Sequence, residues 1–105
     1  MATTKMMVLS NPVPGREDEY NDWYTNRHIP DVVACPGLVS GQRFKIEGDD
    51  RWKYAAIYEI EGDVAAAQAG MMARANTPAM PISDSLDAAG ALMITLSPIM
   101  KPHTK

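Results

Sequence analysis

The stretch Tyr20-Asn-Asp-Trp23-Tyr24-Thr-Asn-Arg27-His28-Ile-Pro30-Asp31 constrains the fold more than any other part of the chain. Tyr20, Trp23, Tyr24, Arg27 and His28 recur at i, i+3, i+4, i+7 and i+8, the spacing of one helix face. A helix carrying that stripe must lay its bulky aromatics against another element. The stripe ends in an imidazole, a group that titrates near neutral pH, flanked by two phenols and an indole. That combination suits a hydrophobic pocket that moves a proton. The spacing does not name a substrate.

The residues on either side of this helix supply the rest of the architecture. Lys5 to Asn11 reads as a strand, broken by Pro12-Val-Pro14-Gly15. Glu17, Asp18 and Glu19 stand where a helix N-terminus favours acids, and the helix runs from about Arg16 to about His28. Pro30 removes a donor and clashes with the preceding turn, so it is expected to interrupt the helix. Asp31-Val32-Val33-Ala34 restarts it, with Pro30 at the first position, and Pro36-Gly37 stops it. Leu38 to Glu47 forms the second strand, with Ser40, Gln42, Phe44 and Ile46 on one face and Val39, Gly41, Arg43 and Lys45 on the other. Gly48-Asp49-Asp50 makes a turn, and Trp52 to Ile60 makes the third strand. The short link predicts an antiparallel hairpin. Gly62-Asp63 caps an alanine-rich helix, Val64 to about Ala75, with Val64, Ala67, Met71 and Ala75 on one stripe. A helical turn is expected around Ser83 to Leu86, and Ala91 to Leu96 is the last strand.

The order β-α-β-β-α-β predicts an α+β, ferredoxin-like domain spanning residues 1–105. Its sheet is four-stranded and antiparallel, with both helices on one face. The other sheet face still carries apolar side chains and needs a cover. In a chain this short the expected cover is a second copy, giving a homodimer packed sheet to sheet.

Composition narrows the partners. At 105 residues and 46% apolar, the chain can build one core, but not a thick one. A net charge of −3, with a pI near 5.2 and no basic stripe, argues against nucleic acid. No apolar run approaches the roughly 20 residues of a membrane span, and the apolar run near the N-terminus is too short for a secretory signal. The single Cys35, beside Pro36 at an apparent helix end, excludes an internal disulfide. It reads as a small buried hydrophobe and fits a reducing, cytoplasmic setting. Metal-ligand clusters, dinucleotide fingerprints and phosphate loops are absent from the sequence, so no metal and no cofactor is expected.

Together with the element order, the motif Tyr20-x-x-Trp23-Tyr24-x-x-x-His28-x-Pro30-x-x-x-x-x-Pro36-Gly37 resembles the dimeric α/β-barrel superfamily, and within it the EthD-like, ether-degradation-associated proteins. A weaker echo lies at Thr77-Pro78 and Asp84. The resemblance implies a barrel made from two sheets with a pocket in each chain. Relatives in that superfamily include cofactor-free cyclases, quinone-forming monooxygenases, lactone isomerases and haem-handling enzymes, so the fold does not choose a reaction.

His28, Tyr24 and Asp31 are the candidate catalytic residues. His28 can take and return a proton at cellular pH, or can instead pin the kink by bonding a backbone carbonyl. Asp31 can orient the imidazole across Pro30 or can serve as a helix N-terminal charge. Tyr20, Trp23, Arg43, Tyr54, Tyr58 and Asp84 are the candidate substrate contacts. Trp23 reads first as core packing. Tyr54 and Tyr58 share a strand face and would hydrogen-bond an oxyanion or phenolate if that face lines the barrel interior, or serve as packing if it faces the helices. Arg43 could hold a carboxylate or enolate, or could be a solvated strand residue. Asp84 could orient His28 from the far loop. Met71, Met72 and Met80 would suit the adaptable walls of an apolar site.

Three functions follow. One is a cofactor-independent isomerase, lyase or cyclase acting on a small apolar, aromatic or polyketide-like carbonyl compound, with His28 as base then acid. Another is a cofactor-free monooxygenase in the same pocket. The third is a small-molecule-binding accessory protein without turnover.

Overall fold

In a computed structural model of the protein, residues 3–48 and 50–105 are described. Asp49, at the centre of the turn expected at Gly48–Asp50, and the first residues of the N-terminal stretch lie outside the described residues. The elements run β1 (Thr4–Ser10), α1 (Glu17–Trp23), a π-helical turn (Tyr24–His28), α2 (Ile29–Val33), β2 (Leu38–Lys45), β3 (Tyr54–Ile60), α3 (Val64–Arg74) and β4 (Leu92–Leu96). The sheet order is β2-β3-β1-β4, and every neighbouring pair is antiparallel. This is the ferredoxin-like α+β arrangement expected from the element order. The turn expected to be helical at Ser83–Leu86 is instead a non-helical turn closed by Leu86 N–H to Ser83 O.

One sheet face packs on the helices. Met6, Ala56, Tyr58 and Ile60 from the strands meet Tyr20, Tyr24, Val32, Cys35, Ala67, Met71 and Met80 in a single core cluster. Cys35 is buried there at 2% exposure, as its apolar surroundings in sequence suggested. Asp63 caps α3, its side chain accepting from Ala66 N–H at 3.2 Å. Gly37 ends the first helical arm with φ +88, and a Cβ there would lie 3.0 Å from Ala67 Cβ, so only glycine lets α3 approach.

Two local expectations need correction. Pro30 does not break the helix, because the chain stays helical from Glu17 to Val33. The other correction concerns β2, where alternation holds from Ser40 to Lys45 but Val39 does not share the face of Gly41 and Arg43. The register shifts between Leu38, opposite Ile60, and Ser40, opposite Glu59. That bulge leaves Val39 47% exposed, while Gly41 and Arg43 turn towards the helices opposite Tyr58 and Ala56.

Gly41 has a steric reason to be glycine. A Cβ there would lie 2.9 Å from the Tyr58 ring and 3.1 Å from Val33 Cγ2. Gly41→Ala is therefore expected to destabilise the protein by about 1–3 kcal/mol, the usual range for overpacking a tight contact. Urea unfolding with an unchanged slope and a lowered midpoint is the expected readout.

Candidate active site

The helical arm sets the geometry. Pro30 has no N–H to give to Asn26 O, and its ring would crowd that carbonyl in a regular α-helix. The chain answers with one widened turn in which Ile29 N–H reaches back to Tyr24 O, an i to i−5 bond. Residues five apart thereby come onto one side. Trp23 stacks on His28 with ring centres 4.6 Å apart at 28°, a contact that α-helical spacing would not allow. Tyr24 meets the same imidazole edge-on at 4.9 Å and 87°.

Tyr24, His28 and Val32 of the arm form one wall of a cavity of about 180 Å³. Met6 and Val8 of β1, Tyr58 of β3 and Met93 of β4 form its floor, and Met71 and Met72 of α3 with Met80, Ile82 and Leu86 close it. An engineered cavity of about 150 Å³ takes benzene, so this one suits a ligand of one ring or slightly more. Gln68 is the remaining amide on the wall, and no Asp, Glu, Lys or Arg side chain lines it. The methionines bring adaptable, polarisable surface.

Two buried polar atoms on these lining residues have no hydrogen-bond partner, His28 Nδ1 and Tyr58 Oη. An unpaired buried polar atom costs about 1–3 kcal/mol, so each gains from a polar ligand atom. Burial depresses the His28 pKa to about 4, with the Asp31 charge opposing that shift. Burial likewise pushes the Tyr24 phenol up to about 12, and raises Tyr58 as well, with Tyr24 beside it adding to the rise. At neutral pH the imidazole is therefore uncharged and both phenols keep their protons. The wall offers hydrogen-bond donors and a neutral nitrogen base in apolar surroundings.

The structure brings His28, Tyr24 and Tyr58 together and places the other candidates outside the wall. Asp31 is not the orienter of His28, because its carboxylate is held by Arg27 Nε at 2.6 Å. Tyr20 is fully buried and its hydroxyl lies 2.6 Å from Ser10 Oγ. The Tyr54 hydroxyl donates to Glu17 Oε2 and accepts from Asn21 Nδ2 at 3.2 Å. Tyr20 points from α1 into the core and Tyr54 lies on the helix-facing side of β3, and both serve packing and hydrogen bonding away from the cavity. Trp23 supports His28 from behind and ties its indole N–H to Pro81 O at 3.2 Å. Asp84 is 86% exposed and engages Arg16 at 2.7 Å, pinning the loop to the start of α1. Arg43 is half-buried and off the cavity wall. It lies over the rings of Tyr20, Tyr24 and Tyr54 at 5.3, 4.7 and 5.2 Å.

Met71, Met72 and Met80 line the cavity, in keeping with their reading as adaptable walls. Met6 and Val8 were missed as wall residues, although the alternation of β1 puts them on one face. Ile82 and Leu86 lie in a loop without periodicity, so no sequence signal marks them. Among the described residues, no three His, Cys, Asp or Glu side chains gather as a metal site would require. No helix is long and apolar enough to cross a membrane among the described residues.

The fold is that of an EthD-family protein. The crystal structure of an ethyl tert-butyl ether (EthD) family protein from Bacillus halodurans C-125 superposes with a TM-score of 0.60 at 15% sequence identity, covering 93% of this chain and 100% of that one. The resemblance read from Tyr20 to Gly37 is thus borne out as a fold. Core atranone cluster (CAC) protein 1 from Stachybotrys chlorohalonatus is 43% identical over 47 residues, which is 43% of this chain. The chain spans only 20% of the length of that protein. No protein-family model matches the sequence.

The buried imidazole makes stability pH-dependent with a definite sign. The folded His28 pKa lies near 4, below its ordinary 6.5, so the unfolded chain binds a proton first as pH falls. Stability is then full above pH 6.5 and declines towards pH 4, by roughly 2–3 kcal/mol for this one group. His28→Gln is expected to flatten the pH 6.5 to 5 part of the stability curve, measured by urea unfolding at a series of pH values.

Proposed function

We propose that this protein binds a small, uncharged, apolar carbonyl compound in the cavity and moves a proton next to its carbonyl group. The carrying observation is the pair of buried, unpartnered polar atoms, His28 Nδ1 and Tyr58 Oη, on residues that line an otherwise apolar cavity. Tyr58 and Tyr24 donate hydrogen bonds to the carbonyl oxygen and stabilise negative charge as it develops there. Neutral His28 takes the proton from the adjacent carbon and returns it to the product. The imidazole is a weak base in the empty cavity, and the oxyanion formed beside it raises its basicity as the proton moves. Isomerisation, aldol-type cyclisation and retro-aldol cleavage share this step. Ions are disfavoured as ligands, since burying an unpaired charge among methionines and aliphatic side chains costs several kcal/mol. Oxygenation of the resulting carbanion uses the same deprotonation, and oxygen uptake with substrate would separate it from simple proton transfer.

A binding protein without turnover is the second reading. It is favoured by one observation: the Asp31 carboxylate is engaged by Arg27, leaving His28 without an acidic orienter. Deuterium uptake at the carbon next to the carbonyl of small alkyl aryl ketones, followed by NMR in heavy water, decides between the two. Catalysed exchange is expected with the wild type and should fall by about 10²–10⁴-fold in His28→Ala. Binding with no exchange above the protein-free rate would leave the binding reading standing.

The uncovered sheet face supports a homodimer. Met7, Leu9, Ile57 and Ile94 are half-buried there, and Phe44, Leu92 and Leu96 are 41%, 40% and 44% exposed. A second copy laid on this face would bury a self-complementary surface, and stable interfaces commonly bury about 1,600 Å² in total. Light scattering at micromolar concentration is expected to give twice the chain mass of 11.5 kDa. Phe44→Glu and Ile94→Glu together are expected to return the monomer.

A further inference from the structure

We infer that Arg43 is a positioning residue whose positive charge, held behind the Tyr24 ring, strengthens the phenol donors of the cavity for negative charge arising there. This rests on the proton-transfer reading for its purpose, but not for its test.

The geometry is specific. Arg43 enters from β2 on the helix-facing side, where the bulge at Leu38/Ser40 has turned it inward. Its guanidinium donates from Nη1 to Thr25 Oγ1 at 2.9 Å and to Asn21 O at 3.4 Å, and from Nη2 to Asn21 Oδ1 at 2.9 Å. All three acceptors are neutral. Among the described residues Arg43 takes part in no ion pair, whereas Lys5, Arg16, Arg27 and Lys53 each do. Glu17 is reached only through a relay. Asn21 donates to the Tyr54 hydroxyl, which donates to Glu17.

A half-buried guanidinium held on neutral acceptors has no contacting carboxylate to cancel its charge, so its field reaches the neighbouring phenols. That field falls on both Tyr20 and Tyr24, and the Tyr24 ring centre is the nearest of the three at 4.7 Å from Cζ. Tyr24 is also the one ring of the three that lines the cavity and touches the His28 imidazole. The positive charge favours the ionised form of both Tyr24 and Tyr58, opposing their burial. A phenol so biased donates a stronger hydrogen bond to an oxyanion. Three tyrosine faces add cation–π attraction that holds the cation in place.

The groups facing Tyr24 are Tyr20 and His28 of the same helical arm, Tyr58 of β3 and Arg43 of β2. Tyr20 and Tyr58 are themselves phenols that ionise in the alkaline range, and Tyr20 opposes ionisation of Tyr24, so the Arg43 charge is read as the difference between variants that keep all four tyrosines. The test needs no substrate. Tyrosines are replaced biosynthetically by 3-fluorotyrosine, which ionises at lower pH than tyrosine, and each ¹⁹F signal is assigned by its loss in the matching Tyr→Phe variant. In Arg43→Gln the Tyr24 signal is expected to titrate at least one pH unit higher than in the wild type, a tenfold change in ionisation. Arg43→Lys should recover most of that unit. Asn21→Asp neutralises the guanidinium without removing it, keeps the fold if Arg43→Gln does not, and should raise the Tyr24 titration in the same direction. Unchanged Tyr24 titration in Asn21→Asp or Arg43→Gln, with stability lowered, would reduce Arg43 to packing and overturn the inference. Shifted titration in a protein that exchanges no ketone deuterium would uphold Arg43 and reject the proton-transfer reading.

Discussion

The site depends on how the backbone accommodates Pro30. A proline three turns into a helix deletes one hydrogen bond and crowds a carbonyl, which costs about 3 kcal/mol in a regular α-helix. Here the helical arm absorbs it in one i to i−5 turn, Tyr24 to His28. That turn brings Trp23 over His28 and keeps Tyr24 against it. The imidazole is thereby clamped between an indole face and a phenol edge, without a carboxylate to hold it. Its orientation comes from packing, and burial by the same packing keeps it neutral.

Electrostatics around the cavity are arranged by exclusion. Three carboxylates near the helical arm are tied off elsewhere: Asp31 by Arg27, Asp84 by Arg16, Glu17 by Tyr54 and Lys53. Among the described residues, only His28, Tyr24, Tyr58 and Gln68 bring side-chain polar atoms to a wall otherwise made of methionine and aliphatic surface. In low-dielectric surroundings a few unpaired donors act strongly, since no water competes for them. The same surroundings make charge on a ligand costly, which is why the uncharged carbonyl reading fits better than an acid.

The two faces of the sheet divide the work. The helix-facing side supplies Met6, Val8, Tyr58 and Met93 to the cavity. The opposite side carries Met7, Leu9, Ile57 and Ile94 with no cover within the chain. A four-stranded sheet covered by helices on one side only leaves that apolar face open to a partner such as the proposed second copy, and strand alternation makes the two surfaces independent of each other. Substitutions on one should therefore affect association, and on the other the cavity.

Much of this was legible in the residues. Apolar alternation, the Pro-Gly breaks and the capped alanine-rich helix determine the element order, and that order leaves the ferredoxin-like sheet as the compact solution. The aromatic stripe put Tyr24 and His28 on one helix face, and alternation put Tyr54 and Tyr58 on one strand face without deciding whether that face meets the helices. Tertiary structure decided what pattern cannot carry. Whether Pro30 ends a helix or widens it depends on whether packing on both sides outweighs the local penalty. Whether Arg43 points inward depends on a bulge that shifts alternation by one residue. Whether Asp31 orients His28 or binds Arg27 depends on which partner the helix surface brings within 2.6 Å. Local sequence sets which side chains share a face, whereas distances, partners and burial arise only when distant segments pack together.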